Sequence, residues 1–540
     1  MQRLTSPPPS GVQQSRLIAL AVALGAADIG GPLSSAEAAV IDAVAEIGPV
    51  ATDTIRRTTA ELFAGGDPLG EQLSGLRSPI ERRAVGAFYT PPSIVEPMIR
   101  WTLERDPDRI VDAGCGSGRF ALAAARLKPS LPLIAIDTDP VATLLTRAAL
   151  AVVGAQAASV VQADYTTFEA DVIAGRTAYV GNPPYVRHHE LSRDAKVWAA
   201  AAGERLGHRV SGLAGLHALF FLATALQAKP GDVGCFVTSA EWLDVGYGSI
   251  VRKVLLNGLG AVGLDLIEPT AVAFDDAMTT AVITCFEAGV EPQEVPLRVA
   301  GDPFELGRLG QGQLVSRQAL QDANRWSPLV HGRNHIQTAG LVPLGQVARV
   351  HRGVVTGAND FFVLTRARAA ELGLEPWCRP AITRGAEVRS AGSVLRETSE
   401  RRVVLDVPHG VDRAAHPALD RYLRSGERGP SAISARYITS RRRPWWRMGL
   451  GASPPIVASY MTRGTPAFAI NPDGLVVINI AHGIYPSRPM SPDRLAALVD
   501  YLNGAAASYR GGGRTYQGGL EKFEPGEMEA LLIPAAFLEA

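Results

Sequence analysis

The sequence predicts an α/β protein of more than one domain, and three observations carry this prediction. The chain has 540 residues, more than one ordinary domain contains, and 46% of them are hydrophobic, so large cores can form. Short apolar runs alternate with helix-like segments over residues 81–300, a pattern typical of a mostly parallel sheet. After residue 336 the alternation stops and strands are short, which favours a separate domain of another architecture.

The charge balance and the cysteine content exclude several classes of protein. Lys and Arg number 53, as do Asp and Glu, so the chain has no uniformly basic coat for nucleic acid. The four cysteines stand far apart without a C-x-x-C pair, which argues against a disulfide scaffold and a zinc ribbon. We therefore expect a cytoplasmic protein from a reducing compartment, and the sequence predicts no metal site.

The first 80 residues predict a short helical segment without a catalytic motif. Helical spacing of apolar residues occurs around 35–46 and 52–63. Residues 17–27 form an apolar run that is compatible with a signal-peptide core or a buried helix. The run is too short to span a bilayer, so we predict a buried helix and no association with membranes.

The middle of the chain, residues 81–300, supplies the predicted sheet. Strands are expected at 109–113, 133–137, 159–162, 178–181, 232–238 and 281–286, and helices at 119–128, 141–153 and 213–229. Residues 301–335 are polar and rich in glycine and predict a linker, after which the second domain occupies 336–540.

A glycine loop follows the first of these strands, in residues 111–118 with the sequence Val-Asp-Ala-Gly-Cys-Gly-Ser-Gly. The glycines allow a tight turn and let a ligand approach bare peptide groups. Asp112 precedes the loop and Asp137 ends the next strand, where an acid typically holds ribose hydroxyls. The loop is compatible with S-adenosylmethionine, with NAD or with a plain turn, and the two acids favour a ribose pocket. The loop glycines are Gly114, Gly116 and Gly118.

A third acid, Asp164, stands at the end of the following strand and is followed by Tyr165. A carboxylate there can accept a hydrogen bond from an adenine amine, and the tyrosine ring can pack on an adenine face. The alternative is an ordinary acid that caps a turn. The succession of acids at three strand ends favours the nucleoside pocket.

The sequence Asn-Pro-Pro-Tyr at 182–185 follows a fourth strand and carries the predicted reaction chemistry. Pro183 and Pro184 stiffen the loop and have no N–H, which leaves the Pro183 carbonyl and the Asn182 amide oxygen as acceptors. Two such acceptors suit an –NH2 group, and the ring of Tyr185 suits a planar base.

Accepting both N–H bonds of an adenine amine returns electron density to the nitrogen. In-line placement of a sulfonium methyl group is then sufficient for transfer. The proton leaves afterwards, so neither His188 nor His189 is expected to act as a base. In isolation, the motif is also compatible with a rigid turn, but its place after the glycine loop and two strand-end acids favours the reaction site.

The motifs together resemble, in order and spacing, the gamma-class (Taq-type) N6-adenine DNA methyltransferases of restriction-modification systems. The resemblance covers residues 85–290 and implies a Rossmann-like class I methyltransferase domain. It implies S-adenosyl-L-methionine as the cofactor and a flipped adenine in double-stranded DNA as the acceptor. In that family a segment like residues 86–92 packs over the methionine part of the cofactor, which implies cofactor contacts by Tyr89, Thr90 and Pro91.

The resemblance implies further features of the site and of the second domain. Phe274 would sandwich the flipped base against Tyr185. Many relatives carry Glu where this chain has the shorter Asp137. A C-terminal α+β domain that recognises the DNA target is expected, with an opening like residues 353–362 and an end like residues 513–520 with 533–534.

An arginine-rich stretch in the second domain predicts contacts with DNA phosphates, which supply affinity without sequence readout. Residues 401–463 contain twelve Arg and four acidic residues. A solvated surface is the alternative, and we expect Trp445 and Trp446 to belong to the core. The arginines nearest the two tryptophans are Arg436, Arg441, Arg442, Arg443 and Arg447.

Other functions are compatible with parts of the sequence. Asn-Pro-Pro-Tyr also occurs in methyltransferases of protein glutamine amides, but the arginine-rich second domain and Phe274 favour DNA. RNA as the acceptor and a catalytically inactive DNA-binding module are further alternatives. Residues 1–80 show no metal-carboxylate cluster, so any companion restriction endonuclease is expected to be encoded separately. We expect the chain to act as a monomer.

Overall fold

The structure is a computed structural model that describes residues 10–77, 90–267, 280–301, 305–330, 340–429, 431–509, 513–516 and 520–538. It divides into two compact units, Met1–Asn334 and His335–Ala540. The boundary adjoins the predicted start of the second domain at residue 336.

The described part of the first unit is built on a nine-stranded mixed sheet with the order β3-β2-β1-β4-β5-β7-β6-β8-β9. Strands β1 to β5 run parallel, whereas β7 lies antiparallel between β5 and β6. The order reverses between β1 and β4, and ligands of such sheets bind at the carboxyl ends of the strands beside that point. The strands are β1 Arg109–Ala113, β2 Leu133–Asp137, β3 Ala158–Gln162, β4 Thr177–Gly181, β5 Val233–Ser239, β6 Ala261–Ile267, β7 Ala281–Glu287, β8 Glu294–Ala300 and β9 Gln313–Ser316.

Helices cover both faces of this sheet, which confirms the predicted Rossmann-like fold. The described helices of this unit are α1 Ser10–Ala23, α2 Ser35–Asp42, α3 Thr52–Phe63, α4 Pro68–Leu76, α5 Pro92–Leu103, α6 Arg119–Leu127, α7 Pro140–Val152, α8 Arg193–Arg205, α9 Leu216–Gln227, α10 Ser249–Leu256, α11 Arg317–Asp322 and α12 Ser327–Val330. Side chains alternate along β1, so that Ile110 shares a core with α5 and α6, and Val111 shares one with α9 and α10.

The N-terminal segment packs onto the rest of the first unit. Leu17 of α1 is buried in a core that includes Leu144 of α7, which confirms the buried helix predicted for the apolar run. A fully buried ion pair joins Glu37 of α2 to Arg147 of α7, with 2.9 Å between Oε1 and Nε. Burial acts to raise the pKa of Glu37, but hydrogen bonds from the Ser34 backbone and from Arg147 lower it below its usual value. Among the described helices none is long and apolar enough to cross a membrane.

The prediction of a linker over 301–335 is wrong for the described residues of that segment. Strand β9 pairs antiparallel with β8 at the edge of the sheet. Trp326 is fully buried, and its Nε1 donates to the Leu320 carbonyl at 2.8 Å. A few buried apolar side chains fix this stretch against the rest of the first unit. Most of its residues are polar, so its average composition did not reveal these side chains.

The second unit is an α+β arrangement of small sheets, as predicted. Its described strands are β10 Leu341–Pro343, β11 Ala348–Arg352, β12 Val363–Leu364, β13 Cys378–Ile382, β14 Val403–Leu405, β15 Ile456–Ser459, β16 Met461–Thr462, β17 Phe468–Ile470, β18 Val476–Val477, β19 Ala481–Pro486, β20 Arg514–Tyr516, β21 Leu520–Lys522 and β22 Leu532–Pro534. Its described helices are α13 Asn359–Phe362, α14 Arg366–Glu371, α15 Gly385–Ser390, α16 Pro417–Ser425, α17 Pro492–Gly504 and α18 Pro525–Glu529.

Two four-stranded sheets of the second unit carry separate cores. The sheet β11-β19-β15-β17 packs with α17, where Phe468 and Leu498 are fully buried. The sheet β12-β14-β13-β18 packs with α16 around Phe362 and Val404.

Candidate active site

A cavity of about 590 Å³ lies at the carboxyl ends of β1 to β4, beside the reversal of strand order. Its lining joins the glycine loop, two strand-end acids and the Asn-Pro-Pro-Tyr motif. The volume is that of a typical small-molecule site. The residues singled out from the sequence that line it are Thr90, Gly114, Gly116, Asp137, Asp164, Tyr165, Asn182 and Pro184.

The three glycines of the loop all have positive φ, of 71°, 55° and 89° in chain order. Gly116 and Gly118 nevertheless have different surroundings. At Gly116 no described atom lies within 4 Å of the position a Cβ would take, so a ligand can approach the Cα of this residue closely. Gly118 is not part of the lining. A Cβ there would lie 2.9 Å from the Thr146 side chain, so this glycine allows α6 and α7 to pack closely.

Two carboxylates line the cavity at the predicted strand ends. Asp137 Oδ2 accepts from the Gly116 N–H at 2.9 Å, and Oδ1 accepts from the Asp139 N–H at 3.0 Å. Burial raises the pKa of Asp137. Asp164 Oδ1 accepts from the N–H and the hydroxyl of Thr166, at 2.9 and 2.7 Å. Both side chains are fixed by neighbouring donors and keep lone pairs for a ligand.

The structure places Asp112 behind the glycine loop and outside the cavity lining, which corrects its predicted position in the cofactor site. Its side chain is fully buried, and Oδ2 accepts from the Ala121 N–H, in the first turn of α6, at 3.0 Å. Burial raises the pKa of Asp112 to about 7. The carboxyl group therefore holds the start of α6, where helix N–H groups lack partners.

The Asn182 carboxamide has a defined orientation at the cavity wall. Its Nδ2 donates to Thr90 Oγ1 at 2.9 Å, so Oδ1 is the acceptor that remains. Oδ1 is buried and has no hydrogen-bond partner within the described residues. An unpaired buried acceptor costs about 1–3 kcal/mol, which a donor on a ligand would recover.

The other residues of the motif are divided between the cavity and the surrounding protein. Pro184 lines the cavity, whereas Pro183 is buried outside the lining. Tyr185 is half-buried and also outside the lining, and burial raises the pKa of its hydroxyl. The hydroxyl therefore stays protonated at neutral pH.

Tyr165 lines the cavity, but its ring belongs to the protein core and is only 2% exposed. Its hydroxyl hydrogen-bonds with Thr224 Oγ1 at 2.7 Å. The ring centroid lies 4.9 Å from that of Phe220, which also lines the cavity. The sequence pattern did not single out Phe220, because it is one of several apolar residues in the buried helix α9.

For three predicted site residues the described part of the chain shows no position in the cavity. Tyr89 and Phe274 lie outside the described residues, within the segments 78–89 and 268–279. Pro91 precedes α5 and is not part of the lining.

The N-terminal segment supplies one wall of the cavity, which the sequence did not predict. Gly70, Leu73 and Ser74 of α4 line it together with Arg77. Asp67 caps this helix by accepting from the Gly70 N–H at 2.8 Å. An Asp followed by a Pro predicts a helix start, but no local pattern predicts where that helix docks.

Comparisons with known proteins identify the family of this chain. The family model for the C-terminal domain of Type II methyltransferase M.Eco57I matches residues 333–540, and the methyltransferase small domain matches residues 98–206. The Type II methyltransferase M.XamI of Xanthomonas campestris pv. amaranthicola is 42% identical over 499 residues, which cover 91% of this chain and 92% of that protein. The chain belongs to the Type II methyltransferase family.

A more distant relative and a solved structure extend the comparison. The Type II methyltransferase M.AccI of Acinetobacter calcoaceticus is 22% identical over 473 residues, covering 83% of this chain and 85% of that protein. The solved structure of the Type IIL restriction-modification enzyme MmeI in complex with DNA has a similar fold, with a TM-score of 0.56 at 13% identity. That alignment covers 88% of this chain and 69% of MmeI.

Membership of the Type II methyltransferase family makes the chain a restriction-modification DNA methyltransferase whose methyl donor is S-adenosyl-L-methionine. The residues of the cavity fit this cofactor. The free space beside the Cα of Gly116 permits close approach of a ligand, and Asp137 and Asp164 supply acceptors for hydroxyl and amine groups. The orphan acceptor of Asn182 lies on the same cavity.

In the second unit of this methyltransferase, the five predicted phosphate-binding arginines are not equivalent. Arg442 is half-buried: it donates to the Val355 carbonyl, and its Nη1 lies 3.7 Å from Met448 Sδ. Burial lowers its pKa, and its role in packing corrects the predicted phosphate contact. The others are the exposed Arg436, Arg441 and Arg443 and the half-buried Arg447.

The two tryptophans of this stretch belong to a core, as predicted. Trp445 and Trp446 are half-buried and pack against the cluster around Phe362. Nε1 of Trp445 donates to Glu427 at 3.0 Å.

Proposed function

We propose that this methyltransferase acts on N6 of adenine in double-stranded DNA, within a specific sequence and after the base has rotated out of the helix. The observation that carries the proposal is the orphan acceptor Asn182 Oδ1, at the cavity wall and oriented by the bond to Thr90. An exocyclic adenine amine has two N–H donors and complements a pair of fixed acceptors.

Asn182 Oδ1 and the Pro183 carbonyl are the two acceptors in this mechanism; the role of Pro183, which lies outside the lining, rests on the sequence motif. Oδ1 is covered by neighbouring atoms, so an incoming amine reaches it by displacing them. The bond to Thr90 prevents the carboxamide from turning its own donor toward the amine. Pro184 follows the carbonyl, and its ring restricts the backbone there, which helps to fix the direction of the carbonyl.

The bound cofactor supplies an electrophilic methyl group on a sulfonium sulfur. With both N–H bonds accepted by Asn182 and Pro183, N6 would regain electron density and could take up the methyl group, and the electrons of the C–S bond would stay on sulfur. The extra proton leaves N6 after transfer, so no strong base is required at the site.

The remaining site residues have proposed roles in binding. Asp137 holds ribose hydroxyls and Asp164 accepts from the adenine amine of the cofactor, beside the loop of Gly114 and Gly116. The roles of Tyr89 and Pro91 with the cofactor, and of Phe274 with the flipped base, rest on the family resemblance.

DNA binding in this proposal uses the arginine-rich stretch of the second unit. Among the described residues the four arginines of 436–447 other than Arg442, which are Arg436, Arg441, Arg443 and Arg447, form no ion pair, so their charges are available for phosphates. Extrusion of the base costs a few kcal/mol. Stacking on Tyr185 offsets about 1–3 kcal/mol of that cost.

The proposal is tested by the identity of the methylated nucleoside. The protein is incubated with unmodified genomic DNA and S-adenosyl-L-methionine carrying a labelled methyl group, and the DNA is digested to nucleosides. We expect the label in N6-methyldeoxyadenosine alone. Label in a cytosine derivative, or transfer to RNA in preference to DNA, would overturn the proposal.

A further inference from the structure

Four residues from four segments of the first unit form a continuous chain of hydrogen bonds that ends at Asn182. Asp67, which precedes α4, accepts from Nε of Arg119 at 2.7 Å. Nη1 of Arg119 donates to the Thr90 carbonyl at 2.6 Å. Thr90 Oγ1 in turn accepts from Asn182 Nδ2 at 2.9 Å. The chain connects the N-terminal segment to the reaction motif.

The groups in this chain are withdrawn from solvent and held in place. The side chains of Asp67 and Arg119 are 5% and 11% exposed, and Thr90 is 3% exposed. Asp67 also accepts from the Ser117 hydroxyl and from the Gly70 N–H. The planar guanidinium of Arg119 donates in two fixed directions, so the carboxylate determines where the Thr90 carbonyl is held.

Stability alone does not account for this ion pair. Burial raises the pKa of Asp67, and the charge of Arg119 acts in the opposite direction. Taking the two charges out of water therefore costs free energy, which their mutual attraction must offset. Buried ion pairs of this kind add little net stability relative to apolar residues of similar size. What the pair does supply is a fixed position for Thr90, beside the cavity that Thr90, Arg119 and Asn182 all line.

We propose that Asp67 and Arg119 are positioning residues for methyl transfer, which fix Thr90 and through it the orientation of the Asn182 carboxamide. The proposal rests on the role proposed above for Asn182. It makes the N-terminal helical segment a working part of the active site, since Asp67, which anchors the chain, also caps α4. A displacement of about 1 Å at a reacting group can cost a hundredfold in rate, so loss of the anchor should appear in turnover.

A second buried ion pair provides a matched control. Glu37 and Arg147 also join the N-terminal segment to the first unit, and both side chains are fully buried. Neither residue lines the cavity. Glu37→Gln therefore removes the same kind of charge pair without touching the chain to Asn182.

The first experiment compares steady-state kinetics of Asp67→Asn and Glu37→Gln in the full-length enzyme. We expect Asp67→Asn to lower kcat about tenfold while KM for S-adenosyl-L-methionine changes less than about threefold. Glu37→Gln should keep kcat within about twofold, whatever stability it loses. An unchanged kcat in Asp67→Asn, or equal losses in both variants, would overturn the proposal.

A double-mutant cycle then tests whether the effect passes through Thr90. Thr90→Val removes the hydroxyl that orients Asn182, so Asp67→Asn should lower kcat much less in the Thr90→Val background than in the wild type. Equal factors in both backgrounds would contradict the proposed chain. Arg119→Lys, which keeps the charge and loses the two-directional donor, replaces Asp67→Asn if that variant does not fold. Thr90→Ser, which keeps the hydroxyl, should retain the coupling.

Turnover by Asn182→Ala, read together with the double-mutant cycle, distinguishes a failure of this inference from a failure of the proposed function. If Asn182→Ala retains normal turnover, the function proposed for Asn182 fails, whatever the cycle gives. If Asn182→Ala is inactive and the cycle is additive, only the positioning role of Asp67 and Arg119 fails.

Discussion

Asn182 Nδ2 donates to Thr90 Oγ1 across 2.9 Å, and this bond joins two segments that are 92 residues apart in the sequence. A carboxamide whose nitrogen is engaged in this way presents its oxygen as the remaining acceptor. The same oxygen is buried and unpaired within the described residues. This hydrogen bond therefore connects the segment before α5 to the reaction motif at the end of β4.

The hydroxyl of Thr90 should matter for turnover more than for folding. Thr90→Val keeps the shape of the side chain and removes the acceptor of Asn182 Nδ2, so we expect kcat to fall about tenfold because the carboxamide loses its orientation. Thr90→Ser should retain most of the activity. Steady-state methylation assays on the same DNA compare the two variants, and equal activities would count against the role of the hydroxyl.

The two acids on either side of the glycine loop should behave differently in cofactor binding. Asp137 lines the cavity, so Asp137→Ala should weaken binding of S-adenosylhomocysteine about tenfold or more. Asp112 lies outside the lining, so Asp112→Asn should leave that dissociation constant within about threefold. Isothermal titration calorimetry measures both, and the reverse order of effects would show that the cavity is not the cofactor site.

The raised pKa of Asp112 predicts a pH dependence of stability. The unfolded carboxyl has a pKa near 3.8 and the folded one near 7, so the folded state binds more protons between these values. The contribution of this group to the free energy of unfolding therefore falls as pH rises from about 4 to about 7 and is constant above that. Thermal melting at pH 5 and pH 8 should show a smaller decrease in Asp112→Asn than in the wild type. An identical decrease in the variant would exclude this origin.

Two exposed arginines should contribute to DNA affinity through phosphates. Replacing Arg441 and Arg443 by Ala should weaken binding and reduce the slope of log K against log salt by about 1–2 units. Arg442→Ala should instead lower the melting temperature, because Arg442 donates to the Val355 carbonyl inside the unit. Fluorescence anisotropy across a salt series checks the slopes, and a slope unchanged in the double variant would argue against phosphate contacts.

Much of the first unit could be predicted because its strands are short apolar runs that end in recognisable residues. The predicted bounds of β1 and β2 agree with the structure, and Gly114, Asp137, Asp164 and Asn182 all reach one cavity. Parallel strands place their carboxyl ends at one edge, so residues in successive loops meet without any long-range signal.

The parts that were missed depend on contacts between distant segments. Two such contacts are the docking of α4 against the cavity and the ion pair between Asp67 and Arg119. The two residues of the ion pair are 52 positions apart, and no periodic pattern in the sequence predicts that they meet. Asp112 stands at a strand end like Asp137, yet its side chain turns to the N-terminus of α6. Strand β9 was missed because the stretch that contains it is mostly polar, and single buried side chains in that stretch, such as Trp326, scarcely change its composition.

The measurement that tests the central claim most directly is single-turnover methylation by Asn182→Ala, made alongside its binding of S-adenosylhomocysteine. The account predicts that the rate falls at least about a hundredfold, because an acceptor for the adenine amine is lost. The dissociation constant for S-adenosylhomocysteine should stay close to that of the wild type, because Asp137 and the glycine loop are intact. A variant that methylates DNA at the wild-type rate, or that loses cofactor binding to the same extent as turnover, would contradict it.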